Sequence, residues 1–366
     1  MKYLNPFKPT AGAEPPRIIG RDAAVMTFVQ GLEEGVGSPG RLMRISGPRG
    51  SGKTVLLNDL GENAREHGWF VIDVTAGPDM LDDLQYALSS RVEAESGSVG
   101  IGVGVMSAEL TVKKRDLSLR DRMCAACGRA SGLLITVDEV QDASTDDMRR
   151  IAQSVQHLIR EKQNIALAFA GLPMGVMDLI NGKALTFLRR AISEELSPIN
   201  AVEVALSLRD SFAQTGLTLG DEQQVRAAKA TEGYAYMIQL VGYYVWQRAD
   251  MHRNTSIDVT SRDVEEGIAV ARAQYEQLVL EAALAGIGKG AMEYVIAMAE
   301  DPKISSTARV AARLGKTSKV AGAYRHQLIQ RQVIQPVSRG YVEFAVPLMR
   351  DYVMRNKEEL MLRYGG

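Results

Sequence analysis

Residues 47–54 read Gly47-Pro48-Arg49-Gly50-Ser51-Gly52-Lys53-Thr54 and match the pattern G-x-x-x-x-G-K-[S/T] at every fixed position. Such a match indicates a phosphate-binding loop where a strand precedes it and a helix follows it. The preceding Arg41–Ser46 is a plausible strand, and the apolar residues after Thr54 are typical of a helix start. Glycines let successive backbone N–H groups turn toward phosphate oxygens, and the helix N-terminus adds positive potential. The stretch therefore predicts a strand, a phosphate loop and a helix in series.

The chemistry of such a loop assigns roles to its last two residues. Lys53 would contact the β- and γ-phosphates, and the Thr54 hydroxyl would ligate Mg²⁺. The other predicted nucleotide contacts in the loop are Gly47, Pro48, Arg49, Gly50, Ser51 and Gly52. ATP or ADP with Mg²⁺ is the expected ligand.

A second, acidic motif completes the expected site. The apolar run Leu133–Val137 is followed directly by Asp138 and Glu139. Ligands of open α/β sheets bind at the carboxyl ends of the strands. Asp138 would therefore hold the Mg²⁺ shell, and Glu139 would orient or deprotonate the attacking water. The spacing between the two motifs suits a strand order with one strand inserted between them.

Composition bounds the class of protein. Of the 366 residues, 46% are hydrophobic and 24% are charged, which excludes a largely disordered or collagen-like chain. The net charge of −1 argues against a polyanion binder whose whole surface is basic. Two cysteines cannot form a disulfide scaffold, and neither a secretory signal nor an apolar stretch of membrane-spanning length is evident. We therefore expect a cytoplasmic protein that does not contact a membrane.

The pattern along the chain predicts an α/β region followed by a helical one. Short apolar runs alternate with helical periodicity up to about residue 199, which is typical of a parallel sheet. The strand candidates are Leu42–Ser46, Trp69–Thr75, Leu133–Val137 and Ile165–Ala170, with Ser96–Val105 as an inserted hairpin or edge strand. Only helical patterns occupy residues 201–286, including a long helix from Ser261 to about Leu284.

The C-terminal pattern differs again. From residue 287, three helical segments precede two β-rich runs, Val333–Val337 and Tyr341–Ala345, separated by Ser338-Arg339-Gly340. Three helices and a hairpin predict a winged helix-turn-helix. We therefore expect four parts: an extended arm over 1–16, a P-loop ATPase core over 17–200, a helical lid and linker helix over 201–286, and a winged-helix domain over 287–366.

The last predicted domain carries a local positive charge. Residues 287–366 contain 13 Lys and Arg against 7 Asp and Glu, a balance of +6. Lys319, Arg325 and Arg331 lie on or next to the expected recognition helix, and Arg339 lies in the wing. Basic side chains there would neutralise DNA phosphates, and a helix in the groove could read bases. A winged helix used only for packing is the alternative.

Several segments together resemble STAND-type and Orc/Cdc-initiator-like AAA+ ATPases. Pro16-Arg17-Ile18-Ile19-Gly20-Arg21-Asp22 resembles the box of two apolar residues, Gly, Arg and an acid that precedes their phosphate loop. The similarity continues through the Asp138-Glu139 strand, and Gly233–Gln239 looks like the lid signature of actinobacterial ATP-binding proteins. It also covers Ala170–Pro173, Phe187–Arg190 and Glu195–Ile199. The resemblance implies an AAA+-type P-loop fold with a helical lid and a terminal winged helix.

The resemblance also implies roles for particular residues. Those expected to pack against adenine are Ile18, Ile19, Gly20 and Arg21. Arg189 would be an arginine finger that reaches the γ-phosphate of a neighbouring subunit, with Arg190 as its substitute in a shifted register. The alternative for Arg189 is a solvated arginine on a helix. A homo-oligomer formed on ATP binding is therefore expected.

Two departures from the family pattern bear on hydrolysis. Ile165–Ala170 ends without the Asn, Ser or Thr usual at the first sensor position, and Gly233-Tyr234-Ala235 stands where initiators often have an arginine. Both argue against fast, autonomous turnover. The leading hypothesis is an ATP-hydrolysing, nucleotide-gated DNA-binding or assembly factor in replication, transposition or mobile-element biology. The alternative is a slow ATP/ADP signalling switch that recruits a protein effector without binding DNA.

Overall fold

A computed structural model describes residues 3–10, 19–96, 118–182 and 185–365. Ile18, and all of the hairpin predicted over Ser96–Val105 except Ser96, lie outside these residues. The described residues form two compact units. Those within 21–47 and 53–196 make up the first, which we call the α/β unit. Those within 3–20, 48–52 and 197–365 make up the second, which we call the helical unit.

A parallel sheet organises the α/β unit. Its strands are β1 Leu42–Ser46, β2 Phe70–Thr75, β3 Leu133–Asp138, β4 Ile165–Gly171 and β5 Ile192–Glu195. They lie in the order β2-β3-β4-β1-β5, and every neighbouring pair is parallel. One strand, β4, is therefore inserted between the phosphate-loop strand β1 and the acidic strand β3, as the motif spacing predicts.

Helices cover both faces of this sheet. They are α1 Asp22–Glu34, α2 Lys53–Glu66, α3 Met80–Ser96, α4 Leu119–Cys127, α5 Thr145–Arg160 and α6 Pro173–Asn181. Met43, Ile45 and Leu134 pack in one core with residues of α1 and α2. Ile135 and Phe169 pack in another with residues of α3 to α6. Because both faces are buried, β4 is apolar along its whole length and β3 is apolar along most of it, which is typical of a parallel sheet.

The structure differs from the sequence prediction in several elements. The pattern did not predict α1, α6 or β5. Strand β5 is short and lacks an apolar run, so its strand conformation depends on pairing with β1. The helix predicted over Ser261–Leu284 is interrupted by a π-helical segment at Glu276–Glu281. Such single-turn insertions leave little mark on the sequence pattern.

The first part of the helical unit is an all-helical bundle. Its helices are α7 Ala201–Gln214, α8 Asp221–Ala230, α9 Ala235–Asp250, α10 Ser261–Tyr275 and α11 Ala282–Leu284. The described part of the expected N-terminal arm is anchored on this bundle, since Phe7 is buried with its ring 5.6 Å from Phe212. Gly242 makes room for Phe7, because a Cβ at that position would lie 2.4 Å from the Phe7 ring. In the described part of the chain, no helix has both the length and the apolar character needed to span a membrane.

The second part of the helical unit has a winged-helix arrangement. Its elements are α12 Lys289–Ala299, β6 Ser305–Ser306, α13 Thr307–Arg313, α14 Ser318–Gln330, β7 Ile334–Ser338, β8 Tyr341–Phe344, α15 Met349–Arg355 and α16 Lys357–Gly365. The three strands form an antiparallel sheet in the order β6-β8-β7. Helix α14 matches the predicted recognition helix, and Gly340 takes a left-handed φ of 83° at the tip of the wing.

A buried arginine ties α1 to the sheet in the α/β unit. Arg41 is 4% exposed, and burial lowers the pKa of its guanidinium. Its Nε and Nη2 each donate to a carbonyl of α1, of Gly31 and Leu32, at 2.8 Å. Its Nη1 donates to Asn164 Oδ1 at 2.9 Å, and the guanidinium stacks 4.9 Å from the centre of the Trp69 ring. Arg41 therefore satisfies carbonyls that the end of a helix leaves without intrahelical partners.

We expect Arg41→Met to lower the free energy of unfolding of the α/β unit by about 3 kcal/mol, because it leaves buried acceptors unpaired. Urea denaturation followed by Trp69 fluorescence measures this, with Trp246→Phe in both proteins because the chain has 2 tryptophans. Arg190→Met is the matched control, since Arg190 is exposed in the same unit. Equal losses in the two variants would contradict a structural role for Arg41.

Candidate nucleotide site

The phosphate loop begins and ends in the α/β unit. Gly47 N–H donates to Gly171 O at 3.4 Å, which joins the start of the loop to the end of β4. Lys53 opens α2, and its buried ammonium donates to Gly47 O at 3.2 Å. Gly50 and Gly52 have left-handed φ angles of 73° and 94°, which glycine adopts without steric cost. The loop therefore has the tight curvature that the motif predicts.

The loop also contains a buried polar atom that forms no hydrogen bond with the described residues. Ser51 is 5% exposed, and its Oγ has no hydrogen-bond partner among the described residues. An unpaired buried hydroxyl costs free energy. A nucleotide phosphate would supply acceptor oxygens next to Lys53, so the residues present fit the ligand that the motif predicts.

Two oxygen donors that fit a magnesium ion meet beside the loop. The Thr54 hydroxyl donates to Asp138 Oδ2 at 2.5 Å, although the two residues are 84 positions apart. They meet because Thr54 follows the loop after β1 while Asp138 ends β3. A hydroxyl and a carboxylate are hard oxygen ligands, which Mg²⁺ prefers. The structure thus brings together both residues that the sequence assigned to the metal.

Glu139 is held in an unusual backbone conformation directly after β3. Its φ is 52°, in the left-handed region that residues other than glycine rarely adopt. Its N–H donates to Asp138 Oδ1 at 2.8 Å, so the two acids are oriented together. Strain of this kind persists where the surrounding structure maintains it and is common at functional sites.

Gln141 is a polar residue near this site that the sequence analysis missed. Its amide Nε2 donates to Glu139 Oε2 at 2.6 Å, and its Oε1 accepts from Leu172 N–H at 3.0 Å. Leu172 directly follows β4, the strand that ends without the sensor Asn, Ser or Thr. The signal available in the sequence was a long amide side chain two positions after the acidic pair.

Other contacts of the loop lie within the helical unit. Tyr236 N–H, in the first turn of α9, donates to Gly50 O at 3.2 Å. Arg49 Nε and Nη2 both donate to Gln332 Oε1, at 2.9 and 2.5 Å. Arg49 is predicted to contact nucleotide as part of the loop, and its side chain bonds to Gln332 in the winged-helix part of the chain.

The three described residues of the expected adenine box, Ile19, Gly20 and Arg21, do not share one environment. Ile19 packs against the core of the helical unit. Gly20 has a φ of 67°, and a Cβ there would lie 2.9 Å from Glu203 Oε2 and 3.2 Å from Ile199. Arg21 is buried immediately before α1. Ile18, the remaining member, is outside the described residues.

The two candidate arginine fingers are placed differently from each other. Arg189 Nε donates to Ile180 O at 3.0 Å and its Nη2 to Asn181 Oδ1 at 3.4 Å, so its guanidinium binds the last turn of α6. Arg190 is exposed. None of the hydrogen bonds that Arg189 forms with described residues reaches Lys53, Thr54 or Asp138.

Two families match parts of the chain. Residues 37–180 match the AAA domain. Residues 277–353, which include most of the winged-helix elements, match a domain of unknown function, DUF8462. No curated protein matches the chain significantly in sequence.

Solved structures match nearly the whole chain in fold. The Aeropyrum pernix ORC2 protein, in ADPNP and ADP complexes, is 12% identical with a TM-score of 0.61 over 97% of each chain. A Walker-type ATPase of Pyrococcus abyssi is 15% identical with a TM-score of 0.60, over 93% of this chain and 97% of that one. Cdc6p of Pyrobaculum aerophilum is 14% identical with a TM-score of 0.51 over 97% of each. The protein has the P-loop AAA+ fold of these Orc- and Cdc6-type structures, as the sequence predicts.

We expect Lys53→Ala to weaken ATP and ADP binding by at least about tenfold, because it removes a charge-assisted contact to phosphate. Isothermal titration calorimetry with Mg²⁺ measures the change. Lys162→Ala, which removes a lysine of the same unit outside the loop, should bind nucleotide like the wild type. Equal affinity in the Lys53→Ala and wild-type proteins would show that the phosphate site lies elsewhere.

Proposed function

We propose that the protein is an ATPase whose nucleotide state controls duplex DNA binding by its winged helix, in replication, transposition or mobile-element biology. The proposal includes the four parts expected from the sequence, a cytoplasmic location, and assembly into a homo-oligomer that uses Arg189 or Arg190 as a finger. The observation that carries it is the pair of hydrogen bonds from Arg49 in the phosphate loop to Gln332 in the winged helix.

The chemistry at the loop follows from its own residues. Lys53 would neutralise phosphate charge, while Thr54 and Asp138 would hold Mg²⁺, whose charge would stabilise the transferred phosphoryl group. Glu139 would accept a proton from the attacking water. The left-handed backbone of Glu139 and its bond to Asp138 Oδ1 would fix the direction of its carboxylate relative to these groups.

Arg49 links the loop to the winged helix through its hydrogen bonds to Gln332. The motif leaves position 49 free, so this side chain is available for a second partner. Gln332 lies two residues after α14, and its own φ of 58° turns the chain from that helix toward β7. The preceding Arg331 donates to Ala285 O at 2.9 Å. The end of the recognition helix is therefore tied both to the linker and to the phosphate loop.

The same stretch of loop is tied to the lid. Gly50 O accepts from Tyr236 N–H, and a Cβ at Gly50 would lie 3.3 Å from Tyr236 Cβ. Beside these contacts is a cavity of about 590 Å³, with Arg49, Tyr236 and Gln332 in its lining. The cavity gives the Arg49 side chain room to change partners. A change of loop conformation on nucleotide binding would therefore be transmitted to α9 and to the end of α14.

Fewer basic residues of the winged helix are available to DNA than the count of 13 Lys and Arg suggests, because several are already paired. Arg309 and Arg313 are paired with Asp301, and Arg355 with Glu276. The side chains of Lys303, Lys316, Lys319 and Arg339 are exposed and form neither an ion pair nor a hydrogen bond with any described residue. Arg325 is half-buried, with its Nε enclosed, and Arg331 is engaged with Ala285. Of the four predicted DNA residues, Lys319 and Arg339 are therefore the best placed to meet phosphates.

We expect Gln332→Gly to abolish nucleotide control of DNA binding. In the wild type, ATP or ADP should change the affinity for a random-sequence duplex by about fivefold or more, the usual range of coupling between sites. In the variant the change should fall below about twofold, while nucleotide affinity is retained. Glycine suits the left-handed backbone at position 332, so the variant should stay folded. Fluorescence anisotropy of labelled duplex measures the DNA affinity with and without nucleotide, and calorimetry measures the nucleotide affinity.

Gln335→Ala is the matched control for this experiment. Gln335 lies in the same wing, but its amide donates to Glu343 Oε1 at 2.8 Å, across the β7–β8 pair. It should retain the wild-type response to nucleotide. Wild-type DNA affinity that nucleotide does not change would overturn gating. Absence of DNA binding in every state would favour recruitment of a protein effector instead.

We expect the double variant Lys319→Gln/Arg339→Gln to reduce the slope of log affinity against log salt by about two, because each phosphate contact contributes about −0.9. The measurement is a DNA titration at several salt concentrations. Arg309→Gln/Arg313→Gln removes the same charge from residues already paired with Asp301 and should change the slope less. A slope that is the same in the Lys319→Gln/Arg339→Gln and wild-type proteins would place the DNA contacts elsewhere.

A further inference from the structure

The side chain of Gln141 joins the acid after β3 to the end of the neighbouring strand β4. A backbone N–H can only donate, so the amide oxygen of Gln141 must face Leu172 N–H. The amide nitrogen then faces Glu139 Oε2, 2.6 Å away. Both ends of the amide are therefore specified, and its orientation cannot be reversed without losing both bonds.

Two glycines make room for this bridge. A Cβ at Gly171 would lie 2.8 Å from Gln141 Oε1 and 2.7 Å from Val140 Cγ2. A Cβ at Gly175 would lie 2.4 Å from Gln141 Cβ and 3.0 Å from its Cα. Neither glycine needs a left-handed φ, so close approach to the segment at Gln141 is the physical reason for their lack of a side chain.

The bridge supplies a polar group at a strand end that has none of its own. Strand β4 ends at Gly171 and is followed by Leu172 and Pro173, and none of these three residues has a polar side chain. The carboxyl end of β4 nevertheless lies between those of β1 and β3, where the Thr54–Asp138 pair forms. The amide of Gln141 is thus the side-chain hydrogen-bonding group that the structure provides at the end of β4.

We propose that Gln141 is the positioning residue for Glu139 in ATP hydrolysis, an inference that rests on the proposed ATPase function. The amide holds one carboxylate oxygen of Glu139, which leaves the other oxygen to accept a proton from water. It also holds Glu139 to the rigid end of β4, so the left-handed turn after β3 cannot relax independently. Gln141 acts through Glu139 and does not itself take part in proton transfer.

Gln141→Glu can keep the hydrogen bond to Leu172 N–H and removes the one to Glu139. The new carboxylate can still accept from Leu172 N–H, but it repels Glu139 where the amide donated to it. We expect kcat for ATP to fall about 10²-fold, the scale of loss when a reacting group is displaced by about 1 Å. KM and calorimetric nucleotide affinity should stay within about twofold, because the lost interaction acts on the water-activating group and not on binding.

Two controls isolate the positioning role. Gln153→Glu makes the same substitution at an exposed position of α5 and should leave kcat unchanged. In a Glu139→Gln background, adding Gln141→Glu should change kcat by less than about twofold, because the group through which Gln141 acts is already gone.

A readout independent of turnover tests the bridge itself. Amide hydrogen exchange at Leu172 should be about tenfold faster in Gln141→Met than in the wild type, and unchanged in Gln141→Glu. Wild-type kcat in Gln141→Glu, or the same loss of kcat with and without Glu139, would overturn the positioning role alone. No turnover by the wild-type protein would overturn the ATPase function and this inference together. Failure of DNA binding would leave the inference intact.

Discussion

The parallel pairing of β1, β4 and β3 is the constraint on which the candidate site depends. Ser46 lies opposite Gly171, and Val137 lies opposite Phe169, so the three strands end at the same edge of the sheet. From that edge leave the phosphate loop, the acidic pair and the segment that begins α6. The bond between Thr54 and Asp138 is a consequence of this register. A slip of one residue would turn inward-facing side chains to the opposite face and separate these groups.

Strands β3 and β4 of this edge could be predicted because burial on both faces makes them almost entirely apolar. Leu133–Val137 and Ile165–Ala170 stand out as continuous runs, and their residues are almost fully buried. Strand β5 has alternating half-buried and exposed residues and no such run. It forms a strand because it pairs with β1. That partner is distant in sequence, so the local residue pattern of β5 does not reveal it. The same reasoning applies to α6, whose nine residues are too few to show a clear helical period.

The residues of the candidate site also fall into two groups: some are specified by local sequence, and others by contacts with residues that are distant in sequence. Glycine and lysine positions in the phosphate loop are dictated by local backbone geometry, so the motif alone identified them. The proposed roles of Gln141 and Arg49 depend on distant partners, Leu172 and Gln332, and on two glycines that leave room for Gln141. Gln332 is 283 positions from Arg49. Neither residue type is required by a motif, and each becomes informative only when the fold supplies its partner.

The different uses of arginine and lysine explain why a charge count does not identify a DNA surface. A guanidinium presents several donors in a fixed plane, so it can satisfy carbonyls at helix ends and loops, whereas an ammonium on a flexible chain remains well hydrated. Arginines that donate to backbone carbonyls in this structure include Arg41, Arg189, Arg253, Arg313 and Arg331. These residues contribute to the formal charge but have structural partners to lose. Three exposed lysines of the winged helix, Lys303, Lys316 and Lys319, have no such partners. The proposed DNA contact there would therefore require no rearrangement of the fold.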